Sequence, residues 1–174
     1  MLFKTTYDSP LKEITILTNE KSLLGLWFTA QKYFGAKFNL DEATNQTNVI
    51  GKKVIAWLDA YFAGHQPDAT SIPVDPKVTP YRRSVSTILQ QIPYGQVWTY
   101  KQIAEKLNQR QTHQTSARAV GGAVGHNPIS IIIPCHRVVG SDGNLTGYAG
   151  GIDRKIALLE LEGFSHDNLI KYHI

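Results

Sequence analysis

Thr99-Tyr100-Lys101-Gln102-Ile103-Ala104-Glu105-Lys106-Leu107 and, after a polar stretch, Ser116-Ala117-Arg118-Ala119-Val120-Gly121-Gly122-Ala123-Val124 decide the fold of the second half of this chain. Thr99 and Gln102 stand at capping-box spacing: the hydroxyl can accept from the Gln102 amide while the Gln102 side chain reaches back to the Thr99 amide. The spacing predicts a short helix with Ile103, Ala104 and Leu107 turned inward. A polar loop over 108–115 separates it from a helical stretch over 116–124. Short helix, turn, short helix is the order of a helix-turn-helix DNA reader, and equally of many small helical domains. The composition of the later stretch adds information. Glycines cost a helix about 1 kcal/mol each against alanine, so something has to come close to Gly121 and Gly122. A neighbouring helix would account for the glycines. A nucleic-acid groove would also account for the single Arg118 set between Ala117 and Ala119.

Upstream, Thr79-Pro80 joins an N-cap residue to proline at the first helical position. Val85, Ile88, Leu89 and Ile92 supply the apolar stripe of that helix, and Pro93-Tyr94-Gly95 breaks it. Pro67, Pro73, Pro76 and Pro80 fall between Gln66 and Pro80 without helical periodicity, which reads as a linker. The expected division is a scaffold domain over 1–75 and a functional domain over 76–174. The scaffold reads as a β-meander and a helix. Strands are expected over 2–7, ending at Asp8-Ser9-Pro10, over 12–18, and over 23–28, with a turn at Asn19-Glu20-Lys21. In the second of these, Ile14 and Ile16 share one face, with Glu13, Thr15 and Thr18 on or near the other. A polar loop over 41–48 then leads to a helix over 49–63 that Gly64 stops.

With 42% apolar and 18% charged residues among 174, the chain is large and apolar enough for one or two folded domains, and extensive disorder is excluded. No apolar run approaches a membrane span. The start Met1-Leu2-Phe3-Lys4 lacks the organisation of a signal peptide, so a cytoplasmic protein is expected. A formal charge of +4 suits a polyanionic partner and ordinary solubility equally well. One cysteine excludes an internal disulfide and any Cys-based zinc cluster. By base rate such a cysteine is a small buried hydrophobe. Trp27, Trp57 and Trp98 are expected in or near the core, and Lys52-Lys53 and Arg82-Arg83 on solvated faces. His65, His113, His166 and His173 show no ligand spacing.

The neighbours of that cysteine argue against an inert role. In Asn127-Pro128-Ile129-Ser130-Ile131-Ile132-Ile133-Pro134-Cys135-His136-Arg137-Val138-Val139-Gly140, a β-branched run predicts a strand that proline ends, displaying Cys135 at the strand end. A reactive thiol needs a base or a positive charge at hand, and His136 and Arg137 are adjacent in sequence.

Pro134-Cys135-His136-Arg137-Val138 resembles the signature of the O6-alkylguanine-DNA alkyltransferases, also called methylated-DNA–protein-cysteine methyltransferases. Further blocks are similar to motifs of that family, in order and at compatible spacing. They are Tyr94-Gly95-Gln96-Val97, Thr99-Tyr100, the run from Arg118 to Ala123, Asn127-Pro128, Gly147-Tyr148-Ala149-Gly150-Gly151 and Glu162-Gly163. The resemblance spans about 79–163; the N-terminal part agrees loosely, through its strands and Tyr61-Phe62-Ala63-Gly64.

The resemblance implies an α+β protein: an N-terminal domain of ribonuclease H-like topology followed by a mainly helical winged-helix domain whose helix-turn-helix meets the minor groove. It implies irreversible transfer of an alkyl group from O6-alkylguanine, and from O4-alkylthymine, in duplex DNA to Cys135. The damaged base is flipped out of the stack, because the O6 group cannot enter a protein pocket inside a duplex. In the implied assignment His136 is the base, acting through a water, Glu162 orients the imidazole, and Asn127 links recognition helix to active site. Tyr100 rotates the phosphate or polarises the base. Arg118 enters the stack, Ala117, Ala119 and Gly121 let the backbone come close, and Thr99, Lys101 and Ser141 join the DNA contacts. Pro134, Val138, Tyr148, Ala149 and Gly150 form the guanine pocket. The thioether product has no easy leaving group, so each molecule acts once, as a monomer, with no metal or organic cofactor and no membrane partner.

Three features depart from the family pattern: a longer 108–115 loop, Ser86 near a place where relatives carry tryptophan, and His126 just before Asn127. None removes a residue with an implied chemical role. The alternatives are a non-catalytic binder of alkylated DNA, a Cys-His hydrolase or redox enzyme, and a plain helix-turn-helix regulator. The presence of Cys135 opposes the first and the lack of a resolving cysteine the redox form of the second. Glu162 and the loop from Tyr148 to Gly151 have no purpose in the third.

Overall fold

The computed structural model describes residues 1–110, 114–145, 147–165 and 167; the centre of the 108–115 loop, and His113, His166 and His173, lie outside these. The described residues form a mixed α+β chain with five α-helices, a four-stranded sheet and a two-stranded one. They divide into two units: one comprises Met1–Lys77 with Pro128–Ser130, the other Val78–Asn127 with Ile131–Ile174. Among the described residues no helix is long and apolar enough to cross a membrane.

In the first unit, β1 (Phe3–Ser9), β2 (Lys12–Thr18) and β3 (Leu23–Phe28) form an antiparallel meander. β4 (Thr44–Asn45) adds to the free edge of β1 in parallel, giving the order β3-β2-β1-β4. β1 runs to Ser9, past its expected end, because Ser9 still pairs with Lys12 across the turn. The polar segment 41–48, expected as a loop, contains β4 and a 3-10 turn at Leu40–Glu42. The polar-face expectation for β2 is also corrected: Thr15 and Thr18 are buried. The segment after β3 folds back so that Phe38, Leu40 and Ala43 pack with Leu17, Leu24 and Trp27, while Thr18 donates to Asn48 at the start of α1. With both faces covered, alternation no longer separates core from solvent.

α1 (Val49–Phe62) begins at Asn48, whose side chain accepts from the Gly51 amide, and packs on β1, β2 and β3. Ile50, Val54, Trp57, Leu58 and Tyr61 form its buried stripe, and Gly64, at φ 87°, ends the turn as expected. The proline-rich segment is not a free linker. The Leu23 amide donates to the Pro73 carbonyl and the Asp75 amide to the Leu23 carbonyl, which pins it along β3.

In the second unit α2 (Pro80–Leu89), α3 (Tyr100–Asn108) and α4 (Ala117–Gly125) pack against one another. Thr79, Thr99 and Ser116 cap them, and Thr99 with Gln102 forms the expected capping box. Asn108 closes the loop that follows α3: its side chain accepts from the Thr115 amide at 2.7 Å and donates to the Thr115 carbonyl at 3.2 Å. Three elements have no counterpart among the sequence expectations. β5 (Trp98–Thr99) and β6 (Val138–Val139) pair in parallel, and α5 (Ile152–Leu161) packs on the turn that carries Cys135. Leu158 and Leu159 of α5 are fully buried, each contributing roughly 1.5–3 kcal/mol by removal from water. Trp27 and Trp57 are core residues as expected, whereas Trp98 is half-buried beneath Lys106, whose ammonium lies 4.5 Å from the ring centre.

Candidate active site

The strand expected over 129–133 is instead a series of turns, with Ile131 in the left-handed region at φ 69° and only Ile129 bridging to Leu26. The β-branched residues are buried as expected, but by a chain that reverses and so presents no ladder. Cys135 therefore does not stand on display at a strand end. It opens a 3-10 turn, Cys135–Arg137, and is 5% exposed. Asn127, directly after α4, holds this turn: its Nδ2 donates to the Ile133 carbonyl at 2.9 Å, and its side chain also hydrogen-bonds the thiol. Burial pushes the Cys135 thiol up, opposed by the Asn127 hydrogen bond and the Lys155 charge. The resting group is a protonated thiol that needs a base to become a nucleophile.

His136 and Glu162, both fully buried, meet at 2.5 Å between Nε2 and Oε2. Burial would raise Glu162, but the hydrogen bonds and charges of His136 and Arg137 outweigh it and hold the carboxyl at about 2. Because Glu162 is an anion that can only accept, Nε2 carries the imidazole proton and Nδ1 keeps its lone pair. Burial lowers His136 against the pull of Glu162, which keeps the ring neutral, and Nδ1 is buried without a hydrogen-bond partner among the described residues. Adjacency in sequence placed His136 beside Cys135, and the fold adds a carboxylate from α5 that fixes its tautomer.

Arg137 completes the cluster. Nε and Nη2 donate to the two oxygens of Glu162 at 2.7 and 3.2 Å, and Nη1 donates to the Ile92 carbonyl at 2.8 Å. Its guanidinium lies over the Tyr94 ring at 5.7 Å. From sequence Arg137 was read only as a positive charge adjacent to the thiol; here its guanidinium is spent on Glu162 in a buried, two-pronged contact.

Lys155 is a residue that sequence reasoning missed. It is fully buried, and its Nζ donates to the Val138 carbonyl at 2.5 Å. A signal for it existed: Ile152, Lys155, Ile156 and Leu159 fall at helical spacing, so a lysine occupies the apolar stripe of α5.

An open cavity of about 450 Å³ is lined by Tyr100, Lys101, Ala117, Arg118, Gly121, Gly140, Ser141 and Gly147. Six of these were expected from sequence to serve DNA or the damaged base, and α3, α4 and the loop after β6 bring them to one concavity. Ala117, Arg118, Lys101 and Ser141 are exposed there. Gly147, at φ 85°, allows the Tyr100 hydroxyl to come close: an added Cβ would sit 3.2 Å from it. Burial pushes the Tyr100 phenol up to about 12, so it stays a neutral donor. Ala119 is exposed on α4 outside the lining, and Thr99 spends its hydroxyl on the Gln102 amide. Cys135, His136, Asn127 and Glu162 are buried and do not line the cavity. Pro134, Val138, Tyr148 and Gly150 are buried, Ala149 partly so, and the Tyr148 carbonyl accepts from the Gly151 amide ahead of α5. His126 caps α4, its Nδ1 2.7 Å from the Gly122 carbonyl.

Comparison with known proteins accounts for this combination. A family model described as 6-O-methylguanine DNA methyltransferase, ribonuclease-like domain, matches residues 2–76, and one described as its DNA binding domain matches residues 80–164. The methylated-DNA–protein-cysteine methyltransferase of Haemophilus influenzae is 36% identical over 162 residues, covering 92% of this chain and 86% of that protein. The protein of the same name from Mycobacterium tuberculosis is 40% identical over 164 residues, covering 93% of each. Among solved structures, Mycobacterium tuberculosis OGT in complex with DNA superposes with a TM-score of 0.80 at 36% identity, covering 97% of this chain and 99% of that one. Matched in both of its units, and carrying a lone buried cysteine beside a carboxylate-held histidine, this chain belongs to the 6-O-methylguanine DNA methyltransferase family.

Proposed function

We propose that this protein repairs alkylated DNA by direct reversal, taking the alkyl group of O6-alkylguanine onto Sγ of Cys135. Direct reversal by a methylated-DNA–protein-cysteine methyltransferase is the activity that its family membership carries. The observation that supports the site assignment is the buried thiol next to a neutral imidazole whose Nε2 is committed to Glu162 and whose Nδ1 is not. His136 takes the Cys135 proton through a water. The thiolate then forms an S–C bond to the alkyl carbon, the C–O6 bond breaks, and the electron pair leaves on the purine, which regains a proton. Tyr100, a neutral phenol, polarises the departing base. Glu162 stabilises the imidazolium that forms, and Arg137 keeps Glu162 ionised and aimed. O4-alkylthymine would lose its alkyl group by the same displacement. The thioether has no path back to a thiol, so one molecule performs one repair.

DNA is read as the partner on the cavity and its rim. The two units are taken as the ribonuclease-like and winged-helix domains of the family, over 1–75 and 76–174. α3 and α4 form the helix-turn-helix, set in the minor groove, with Arg118 filling the stack as the base swings toward Pro134, Val138, Tyr148, Ala149 and Gly150. Thr99, Lys101, Ala117, Ala119, Gly121 and Ser141 carry the backbone contacts, as a monomer in the cytoplasm.

The test is the intact mass of the protein after incubation with duplex DNA containing O6-methylguanine. One added methyl, absent in Cys135→Ala, is expected. Demethylated DNA with unmodified protein, or turnover beyond one equivalent, would overturn the assignment, and tight binding with no chemistry would favour a non-catalytic binder.

A further inference from the structure

Packing does not locate the first turn of α4, which carries Arg118. Ser116, Ala117, Arg118 and Ala119 are exposed, and Val120 is the first buried residue of the helix. The helix's own bonds begin no earlier. The Ser116 carbonyl accepts from the Val120 amide at 3.0 Å and the Ser116 hydroxyl from the Ala119 amide at 3.1 Å, while amides ahead of these have no acceptor inside a helix.

What fixes this turn stands one residue earlier. Thr115 is held by its amide, its carbonyl and its hydroxyl. The amide donates to Asn108 Oδ1 at 2.7 Å, the carbonyl accepts from Asn108 Nδ2 at 3.2 Å, and the hydroxyl meets that of Tyr81 at 2.6 Å. Asn108 is a single side chain at the end of α3, about which the strand of chain can still pivot. Tyr81, from α2, adds a second point and removes the pivot. Tyr81 is itself fixed: it follows Pro80 in the first turn of α2, which Thr79 caps by accepting from the Arg82 amide at 3.2 Å. Both Tyr81 and Thr115 are half-buried, so water competes less for their bond. A phenylalanine at this position would keep the ring and lose only the hold on Thr115. Ala117 and Arg118, two and three residues beyond that hold, line the open cavity together with Tyr100 and Lys101 of α3.

We propose that Tyr81 is a positioning residue for duplex DNA: through Thr115 its hydroxyl fixes the first turn of α4, and so the place from which Arg118 enters the stack. The inference rests on the reading of α4 as the DNA-facing helix, and its test separates the two.

Single-turnover methyl uptake from O6-methylguanine duplex and from the free O6-methylguanine base is compared in wild type, Tyr81→Phe, Thr115→Val, the double variant, Arg118→Ala, and Arg118→Ala combined with Tyr81→Phe. With DNA below saturation, Tyr81→Phe should slow the duplex reaction roughly three- to tenfold, the equivalent of one hydrogen bond, and leave the free-base reaction unchanged. Thr115→Val should do the same, and the double variant no more, because both remove one bond. In the Arg118→Ala background Tyr81→Phe should add nothing. An unchanged duplex rate in Tyr81→Phe would overturn the proposal. So would equal losses on duplex and free base, the mark of a merely structural role, or a full Tyr81→Phe effect without Arg118. If Tyr81→Phe does not fold, Thr115→Val decides by the same ratio of duplex to free-base rates. An Arg118→Ala protein that repairs duplex as wild type does would overturn the DNA-facing reading of α4 and this proposal with it. A wild type that takes up no methyl would overturn the repair reading alone. Duplex affinity by fluorescence anisotropy then decides: weaker binding in Tyr81→Phe supports the proposal and equal binding overturns it.

Discussion

Asn127 and Cys135 converge on one carbonyl: Asn127 Nδ2 and the Cys135 amide both donate to the oxygen of Ile133, at 2.9 and 2.8 Å. Since the Asn127 amide also donates to Val124 of α4, this oxygen ties the helix carrying Arg118 to the turn carrying the thiol. Asn127→Ala removes the hydrogen bonds to Ile133 and the thiol. It should cost about 1–3 kcal/mol in denaturant unfolding and slow single-turnover methyl transfer at least tenfold. A variant with full activity would show that the tie is dispensable.

Glu162→Gln should be the most damaging conservative change in the site. It strands the Arg137 guanidinium in the interior and frees the His136 tautomer, with an expected loss of about 3–5 kcal/mol. The wild type also predicts an acid dependence. Glu162 sits at about 2 in the folded protein against an ordinary 4.5, so its stabilisation is present above the ordinary value and is lost as pH falls from there toward 2. The whole effect is on the order of 3 kcal/mol, and acid titration of stability in the wild type and in Glu162→Gln would read it.

Two glycines in the left-handed region separate strain from function. Gly64→Ala, at φ 87° with nothing near the added Cβ, should cost about 1–2 kcal/mol of stability and leave methyl transfer unchanged. Gly147→Ala, at φ 85°, bears the same strain and also presses a methyl toward the Tyr100 hydroxyl at 3.2 Å. Its transfer rate should fall as well. Equal rates in the two variants would remove Tyr100 from the chemistry.

Arg118→Ala should weaken repair of duplex DNA far more than reaction with the free alkylated base, because Arg118 stands on the exposed side of α4 away from the buried thiol. Asn108→Ala should behave in the same direction but more mildly. It opens the clamp to Thr115 that holds the ends of the loop between α3 and α4, leaving the Cys135 turn untouched. Parallel rates on duplex and free base test both.

Local rules carried far in this chain. Capping chemistry located the starts of α2 and α3, apolar spacing located α1 and the meander, and Gly64 marked a helix end, because each depends on residues a few positions apart. The motif around Cys135 and the distant Glu162 were legible through resemblance to a family, without any statement of geometry. What depended on the tertiary structure was everything that long-range burial governs. Thr15 and Thr18 are buried because a distant segment covers the second face of the sheet. The run from Ile129 to Ile133 pairs with β3 only at Ile129 and then turns, with Ile131 in the left-handed region, so its burial is not that of a strand. Arg137 and Lys155 acquire meaning only once α5 is laid against the Cys135 turn, for a charge has no assigned partner until folding removes the water around it. The sequence by itself thus determined which residues are present and where helices start, while the fold determined that a lone cysteine would share one desolvated cluster with an imidazole, a carboxylate, a guanidinium and an ammonium.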